Sequence, residues 1–309
     1  MKQWALILLA VSSLVLTACG GAPAAQNSAA QSYATITDDS GRTVTFDKKP
    51  ERIVVTSASF IAPLYAVGGE VVGRPATKSK VIPAAEGAAT IGPVYQIDAE
   101  KILALSPDLV IINKGMNEKL IETLAANNIQ TLVIEMKSYE DVKREVTTFA
   151  ALTGEKAKGE ELIAKMDADI DAVRASIPQE KKRISIIHST GQGLSVQLDG
   201  SIAGSIAKML GWENTASGMP ALDKNPDAAP YSMETLVAQN PDIIFVTSMG
   251  EEAEIRASME AMFAESPAWQ SVGAIRDGRV YYLPQEMFLF SPGIQYPEAV
   301  KYMARLIYP

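Results

Sequence analysis

Glu100-Lys-Ile-Leu-Ala-Leu-Ser-Pro107-Asp108-Leu-Val-Ile-Ile112 returns 134 positions later as Glu234-Thr-Leu-Val-Ala-Gln-Asn-Pro241-Asp242-Ile-Ile-Phe-Val246. In each copy a short helical pattern runs through Pro-Asp into an apolar stretch of strand length. An earlier pair, Arg52-Ile-Val-Val55 and Arg183-Ile-Ser-Ile186, is offset by 131 positions, so the duplication spans whole strand-helix units. Two equivalent α/β halves follow, and the crevice between such halves is the natural place for a bound molecule.

Working outward, Tyr33-Ala-Thr-Ile-Thr37 and Arg42-Thr-Val-Thr-Phe46 alternate about the turn cluster Asp38-Asp-Ser-Gly41, which predicts a β-hairpin. Arg52 to Thr56 reads as a short strand, and Ser57-Ala-Ser-Phe60 leads into a helix that stops at Gly68-Gly69. Strand and helix signals continue through Leu109–Ile112, Leu120–Asn127 and Thr131–Ile134. Between Gly154 and Ile177, Leu162, Met166, Ile170, Val173 and Ile177 recur every three or four residues, predicting one long helix that Pro178 ends. The alternation resumes at Arg183–His188 and runs through Ile243–Thr247 and Val280–Leu283 to a final helix near Pro297–Leu306. The expected fold is α/β: two Rossmann-like lobes with mainly parallel sheets, residues 33–153 and 179–309, joined by a single long helix over 154–178, with the ligand cleft between them.

The N-terminus suggests an address. Lys2, the apolar run Trp4 to Leu16 and then Leu16-Thr17-Ala18-Cys19-Gly20 read as a signal peptide over 1–18, too short in its apolar part to span a bilayer. Leu-Thr-Ala-Cys resembles a bacterial lipobox, which implies lipidation of Cys19 and anchoring of the protein to the outer face of a membrane or within a periplasm. Residues 19–32 are rich in Gly, Ala, Ser, Gln and Asn and read as a flexible tether with a span on the order of 20 Å. Later apolar runs are too short to cross a membrane, so the body is expected to be soluble.

Cys19 is the only cysteine, which excludes an internal disulfide and a cysteine nucleophile. Without residues 1–18 the chain keeps 27 basic and 36 acidic side chains, a net charge of −9, which argues against nucleic acid as a partner. His188 is the only histidine, too few for a zinc or manganese importer site. There is also no Gly-x-Ser-x-Gly elbow, so a lipid-anchored hydrolase has little support, and a sensor or adhesin reusing the fold is the remaining competitor.

With both repeats and the helical connector in place, the chain resembles the lipoprotein substrate-binding proteins of ABC importers for iron-siderophores, haem and cobalamin. The resemblance covers roughly residues 33–309 and rests on Ile36-Thr-Asp-Asp-Ser-Gly-Arg-Thr-Val44 with Pro50-Glu-Arg-Ile53, the two Glu…Pro-Asp repeats, and Pro267-Ala-Trp269…Gly278-Arg-Val…Ser291-Pro-Gly293. It implies a monomer without chemistry or cofactor that closes only slightly on its ligand, a ferric siderophore or haem with cobalamin as the alternative. It also implies delivery to an ABC permease dimer with its ATPase. Asp98 and Ser232 are expected N-caps that place Glu100 and Glu234 in the first turns of their helices, where a carboxylate gains from the helix dipole on any reading. In the related proteins the matching glutamates, one per lobe, dock on arginines of the two permease subunits.

Ligand residues follow from the same resemblance. In haem-binding relatives an axial ligand comes from the loop that is here Gly92-Pro-Val-Tyr95-Gln-Ile-Asp-Ala-Glu100, matching Tyr95. The second comes just after the second repeated strand, where relatives place a His and this chain has Met249. No other direct metal ligand is expected. Arg74, Lys78, Lys80 and Lys114 are candidate donors to ligand anions. Ser57 and His188, at the crevice-facing ends of strands, are further candidate ligand-binding residues, and Phe60, Trp212, Tyr231, Met287 and Phe288 are candidates for an apolar cleft wall.

Overall fold

The structure, a computed structural model, describes residues 32–77 and 81–309. The signal peptide, Cys19 and most of the tether, together with Lys78 and Lys80, lie outside the described residues. The predicted hairpin is present as β1 (Ala34–Thr37) and β2 (Thr43–Phe46), paired antiparallel with Ala34 opposite Phe46. It docks through Asp38, whose carboxylate takes the guanidinium of Arg42 and the backbone N–H of Val133 at 3.0 Å.

The first lobe is built on β3 (Ile53–Val55), β4 (Val71–Ala76), β5 (Ala89–Pro93), β6 (Leu109–Asn113) and β7 (Gln130–Ile134). They form one parallel sheet in the order β5-β4-β3-β6-β7. Helices α1 (Ile61–Ala66), α2 (Ala99–Ala104), α3 (Leu120–Ala126) and α4 (Tyr139–Thr153) punctuate them. Gly154, left-handed at φ 78°, caps α4, and the predicted connector is α5 (Lys156–Ser176).

The second lobe carries β8 (Arg183–Thr190), β9 (Gly193–Gln197), β10 (Glu213–Asn214), β11 (Ala228–Pro230), β12 (Ile243–Met249) and β13 (Val280–Tyr282). Its helices are α6 (Ile202–Met209), α7 (Met233–Gln239), α8 (Glu252–Glu265), α9 (Pro267–Gln270), α10 (Gly273–Arg276), α11 (Gln285–Phe288) and α12 (Tyr296–Ile307). Here the sheet is mixed, in the order β11-β9-β8-β12-β13, with β9 antiparallel to both β8 and β11. The reason is local: only Gly191 and Gln192 separate β8 from β9, and so short a link closes a hairpin but cannot make a parallel crossover.

The repeats are structural equivalents. β3 pairs with β6 as Ile53 opposite Leu109, and β8 pairs with β12 as Ile184 opposite Ile243. Asp108 accepts the N–H groups of Glu51 and Arg52 at 2.8 and 2.9 Å, and Asp242 accepts that of Arg183 at 2.9 Å. Each repeated Asp therefore caps the start of the repeated strand beside it. Ser106 and Asn240, both just before the proline, hold φ at 46° and 41°, so each short helix stops in the left-handed region before Pro-Asp turns the chain into its strand.

Strand side chains alternate between two covered faces, which is why the strands read as continuous apolar runs. Ile53, Val55, Leu109 and Ile111 face one core, whereas Val54, Val110 and Ile112 face another. In the second lobe Ile184, Ile186, Ile243 and Phe245 face inward, and Ile187, Ile244 and Val246 face outward. The inner core is shared: it runs from β3 and β6 through α4, α5 and α12 to β8 and β12 without a break.

One buried carboxyl stands inside this frame. Glu145 of α4 is 1% exposed, and burial first, then the charge of Asp39, push it up to about 10. The Arg144 guanidinium, 3.6 Å away and shared with Asp39 and Asp141, offsets only part of that. Between about pH 4.5 and 10 the folded chain holds a proton that the unfolded chain lacks, so this group lowers stability as pH rises through that window. Glu145→Gln is expected to match the parent near pH 4.5 and to gain on it by on the order of 1 kcal/mol per pH unit towards pH 8. Urea melts at the two pH values check this, and parallel curves for parent and variant refute it.

Candidate functional site

In a parallel α/β sheet the loops leaving the carboxyl ends of strands form the crevice. In the first lobe these loops carry Ser57, Tyr95, Met116 and the segment Glu135–Lys137; in the second they carry Tyr231, Met249 and, beyond β13, Phe290. The two sets meet at Gly293, where a methyl group would lie 3.3 Å from Pro63 Cγ and 3.7 Å from Met136 Sδ. The contact continues at Tyr139 and Tyr296, whose ring centroids are 5.4 Å apart, and the Tyr296 hydroxyl is hydrogen-bonded to Ser205.

Exposure picks out the working face. Among the described residues the exposed large hydrophobic side chains are Tyr33, Tyr95, Met116, Leu222, Met249 and Phe290. Of these six, Tyr95 (75%) and Met116 (47%) follow the crevice ends of β5 and β6, Met249 (57%) is the last residue of β12, and Phe290 (50%) lies beyond β13, just past α11, so that each lobe contributes two. Scattered exposed apolar residues need no explanation, but this grouping sets the crevice side apart from the rest of the described surface. Tyr95 and Met249 were predicted; Met116 and Phe290 were not, and nothing in their local sequence distinguishes them from core residues.

The Tyr95 loop is set by Gly92, at φ 103°, where a Cβ would stand 2.6 Å from the Gln96 carbonyl oxygen. Gln96 N–H then closes the turn on Pro93 O at 2.8 Å, and Asp98 caps α2 by accepting from Glu100 N–H and Lys101 N–H at 2.9 and 3.3 Å. Ser232 caps α7 in the same way, accepting from Thr235 N–H at 3.2 Å. Glu100 and Glu234 are each the second residue of their helix, are both exposed, and share no ion pair among the described residues. Since α2 follows the crevice end of β5 and α7 that of β11, the two carboxylates stand on the crevice side of the body, one per lobe.

Three expectations are corrected. Phe60 (1% exposed), Trp212 (4%) and Phe288 (1%) are core residues: Phe60 packs edge-on to Phe149, and Trp212 stacks on Phe245. Aromatic rings at element ends gain more from full burial than from lining an open wall. Arg74 is committed to backbone carbonyls, donating to Ala85 O at 3.1 Å and Pro75 O at 3.3 Å. Lys114 is paired with Glu135 at 3.0 Å. Met287 is half-buried and lines a groove of about 280 Å³ with Glu298, Lys301, Tyr302, Arg305 and Leu306.

His188 is half-buried and its Nδ1 lies 3.0 Å from the Thr247 hydroxyl, two residues short of the end of β8. Burial lowers its pKa, which keeps the ring neutral at pH 7. Tyr231 stacks on Trp269 at 5.7 Å, and burial pushes its phenol up to about 12, so it offers a neutral hydroxyl and no phenolate. Ser57 spends its hydroxyl as the N-cap of the 3-10 turn Ala58–Phe60, accepting from Ser59 N–H at 3.3 Å.

One interlobe contact was not legible in the sequence. Lys137, just past β7, contacts both Glu135 and, in the other lobe, Asp227, each at 3.1 Å. Burial works to raise the Glu135 carboxyl, and the ammonium groups of Lys114 and Lys137 overcome it and hold it below the ordinary carboxylate value. Among the described residues no group of His, Cys, Asp and Glu side chains is arranged to hold a metal ion, and no helix is long and apolar enough to cross a membrane.

Residues 53–287 match the sequence profile of a family described as periplasmic binding protein. Over an alignment 312 positions long the chain is 28% identical to the iron(3+)-hydroxamate-binding protein FhuD of Bacillus subtilis, covering 94% of this chain and 91% of that one. Among solved structures, an ABC transporter substrate-binding protein of Listeria monocytogenes superposes with a TM-score of 0.74 at 23% identity, covering 84% of this chain and 99% of the other. The haem complex of IsdE from S. aureus superposes at 0.72 with 20% identity, over 84% and 99% of the two chains.

Proposed function

The chain belongs to the periplasmic binding protein family and is the non-enzymatic substrate-binding component of an ABC importer of the iron-siderophore, haem and cobalamin group, and on that premise we propose that its ligand is a ferric chelate of the hydroxamate class, held between the lobes. The observation that carries this reading is the set of four exposed apolar residues, Tyr95 and Met116 on one lobe and Met249 and Phe290 on the other, on the segments at or beyond the carboxyl ends of β5, β6, β12 and β13. A siderophore supplies its own oxygen donors to iron, so the protein need offer only surface to its organic shell. The hydroxamate-binding relative supports the same choice.

Capture takes place outside the cytoplasm, with Cys19 lipidated and the chain held at the membrane face. The ligand is handed to a permease dimer that docks on Glu100 and Glu234. Haem is the second reading, favoured by the exposure of Tyr95 and Met249, which would serve as its axial ligands from opposite lobes.

Titration of the body from Ser32 onward with ferrioxamine B, a ferric trihydroxamate, is expected to quench tryptophan fluorescence with one-to-one saturation. Trp269 reports on the crevice because Tyr231, on which it stacks, follows β11 at that end. A parallel titration with haem, followed at the Soret band, tests the second reading, and Tyr95→Ala should shift that band if the phenol is a ligand. Saturation by haem alone replaces the siderophore with haem, and failure of both ligands to bind overturns the chelate reading.

A further inference from the structure

Asn117 is 1% exposed on the loop that leaves the crevice end of β6. Its Nδ2 donates to the Val94 carbonyl oxygen at 2.9 Å, while its Oδ1 has no partner among the described residues. Exchanging the two amide atoms would set oxygen against a carbonyl oxygen, so the partner itself fixes which atom is the donor. An orphan acceptor in the interior costs stability, so Asn117 is a poor choice if its task were only to fill space.

What the bond joins is the Met116 loop and the Tyr95 loop. Asn117 follows Met116, and Val94 precedes Tyr95, so a single buried hydrogen bond is flanked by the two exposed large apolar side chains that the first lobe turns to the crevice. The Met116 loop is anchored independently: Asn113 N–H donates to the buried Thr56 hydroxyl at 2.8 Å, Asn117 N–H to Asn113 O at 3.2 Å, and Gly115 N–H to Glu118 at 3.1 Å. The Tyr95 loop is closed on itself by Gln96 N–H to Pro93 O and Asp98 N–H to Ile91 O, both at 2.8 Å, and its cross-loop side-chain tie is Asn117.

We infer that Asn117 is a positioning residue that registers the Tyr95 loop on the rigid Met116 loop, so that Tyr95 and Met116 present one apolar shelf to the ligand. The inference rests on the capture of a chelate at this crevice. A ligand that had to order two independent loops would lose part of its binding energy in doing so; a shelf already in register avoids that loss and selects ligands by the shape of their apolar face.

The test uses the full chain and two readouts. The first is hydrogen exchange of the Tyr95–Ile97 amides in Asn117→Ala, which needs no ligand. Exchange there is expected to rise about tenfold, with the amides of α2 unchanged. The second is a double-variant cycle with ferrioxamine B and with haem, comparing Asn117→Ala in the parent and in Tyr95→Ala. The parent should lose about tenfold in affinity, and the Tyr95→Ala background much less, since ordering one side chain is worth roughly that factor. Unchanged exchange in the loop overturns the inference, as does an equal affinity loss in both backgrounds, which a general structural role would give. If Asn117→Ala does not fold, Asn117→Ser, whose hydroxyl is too short to span to Val94, takes its place. If neither probe binds the parent, the chelate reading fails on its own, and the exchange readout still decides whether Asn117 registers the loop.

Discussion

Replacing Glu100 and Glu234 together by lysine abolishes uptake of the chelate by cells while leaving the affinity of the isolated protein unchanged. This is the expected result of the docking role proposed for the two carboxylates. Each is exposed in the first turn of its helix, without an ion-pair partner of its own among the described residues, and the two occupy equivalent places in the duplicated lobes. A body with pseudo-twofold symmetry needs one such contact per half to sit squarely on a dimeric partner. Reversal turns each attraction into a like-charge contact, a change of several kcal/mol in the complex, so uptake should fall by at least about 100-fold in the double variant and less in either single one. Loss of the favourable helix-end charge costs the free protein only about 0.3–1 kcal/mol per site, so the fold survives, and a thermal melt verifies that. Unaltered uptake by the folded double variant would falsify the docking role.

The parts of this molecule legible in its sequence are those decided locally. Pro107-Asp108 and Pro241-Asp242 each end a short helix and start a strand, as the repeats read, and in both lobes the Asp accepts a backbone N–H of the neighbouring repeated strand; the positive φ of Ser106 and Asn240 is visible only in the structure. The caps at Asp98 and Ser232 are equally local. Burial is not local. Phe60 and Phe288 looked as suited to a cleft wall as Tyr231, and only the packing of α4 and α12 puts them inside. Met116 and Phe290 were missed for the converse reason, since exposure depends on which loops neighbour them in space. Charge pairing is a third non-local property: Lys114 and Lys137 are held by Glu135, and Asp227 comes to Lys137 from 90 residues away. At their partial exposure such pairs contribute about 1 kcal/mol or less, so the Lys137–Asp227 contact fixes register between the lobes more than it stabilises them.

The expectation that a single helix joins two lobes also changes in weight. α5 does link them, but so do α4 and α12, and the three helices share one core with both sheets. Phe149→Ala in α4 tests how far that core makes the lobes one unit. Phe149 is fully buried against Phe60 in the first lobe, and its truncation should cost about 3–5 kcal/mol. Both tryptophans of the body, Trp212 and Trp269, lie in the second lobe, so fluorescence reports unfolding there and far-UV circular dichroism reports the whole. If the shared core couples the lobes, the fluorescence midpoint in urea falls by the same amount as the circular-dichroism midpoint, and each trace stays a single transition. A fluorescence midpoint that holds while the first lobe unfolds earlier would mean two independent cores joined by a linker, and with it freedom for wide hinge closure. The continuous packing from Ile53 and Leu109 through Phe149, Met166 and Met303 to Ile184 and Phe245 argues for the first outcome, since closing the crevice by a large rotation would tear that core. On that outcome ligand capture would be confined to small adjustments of the crevice loops, so that a loop already in register when the ligand arrives spares the cost of ordering it.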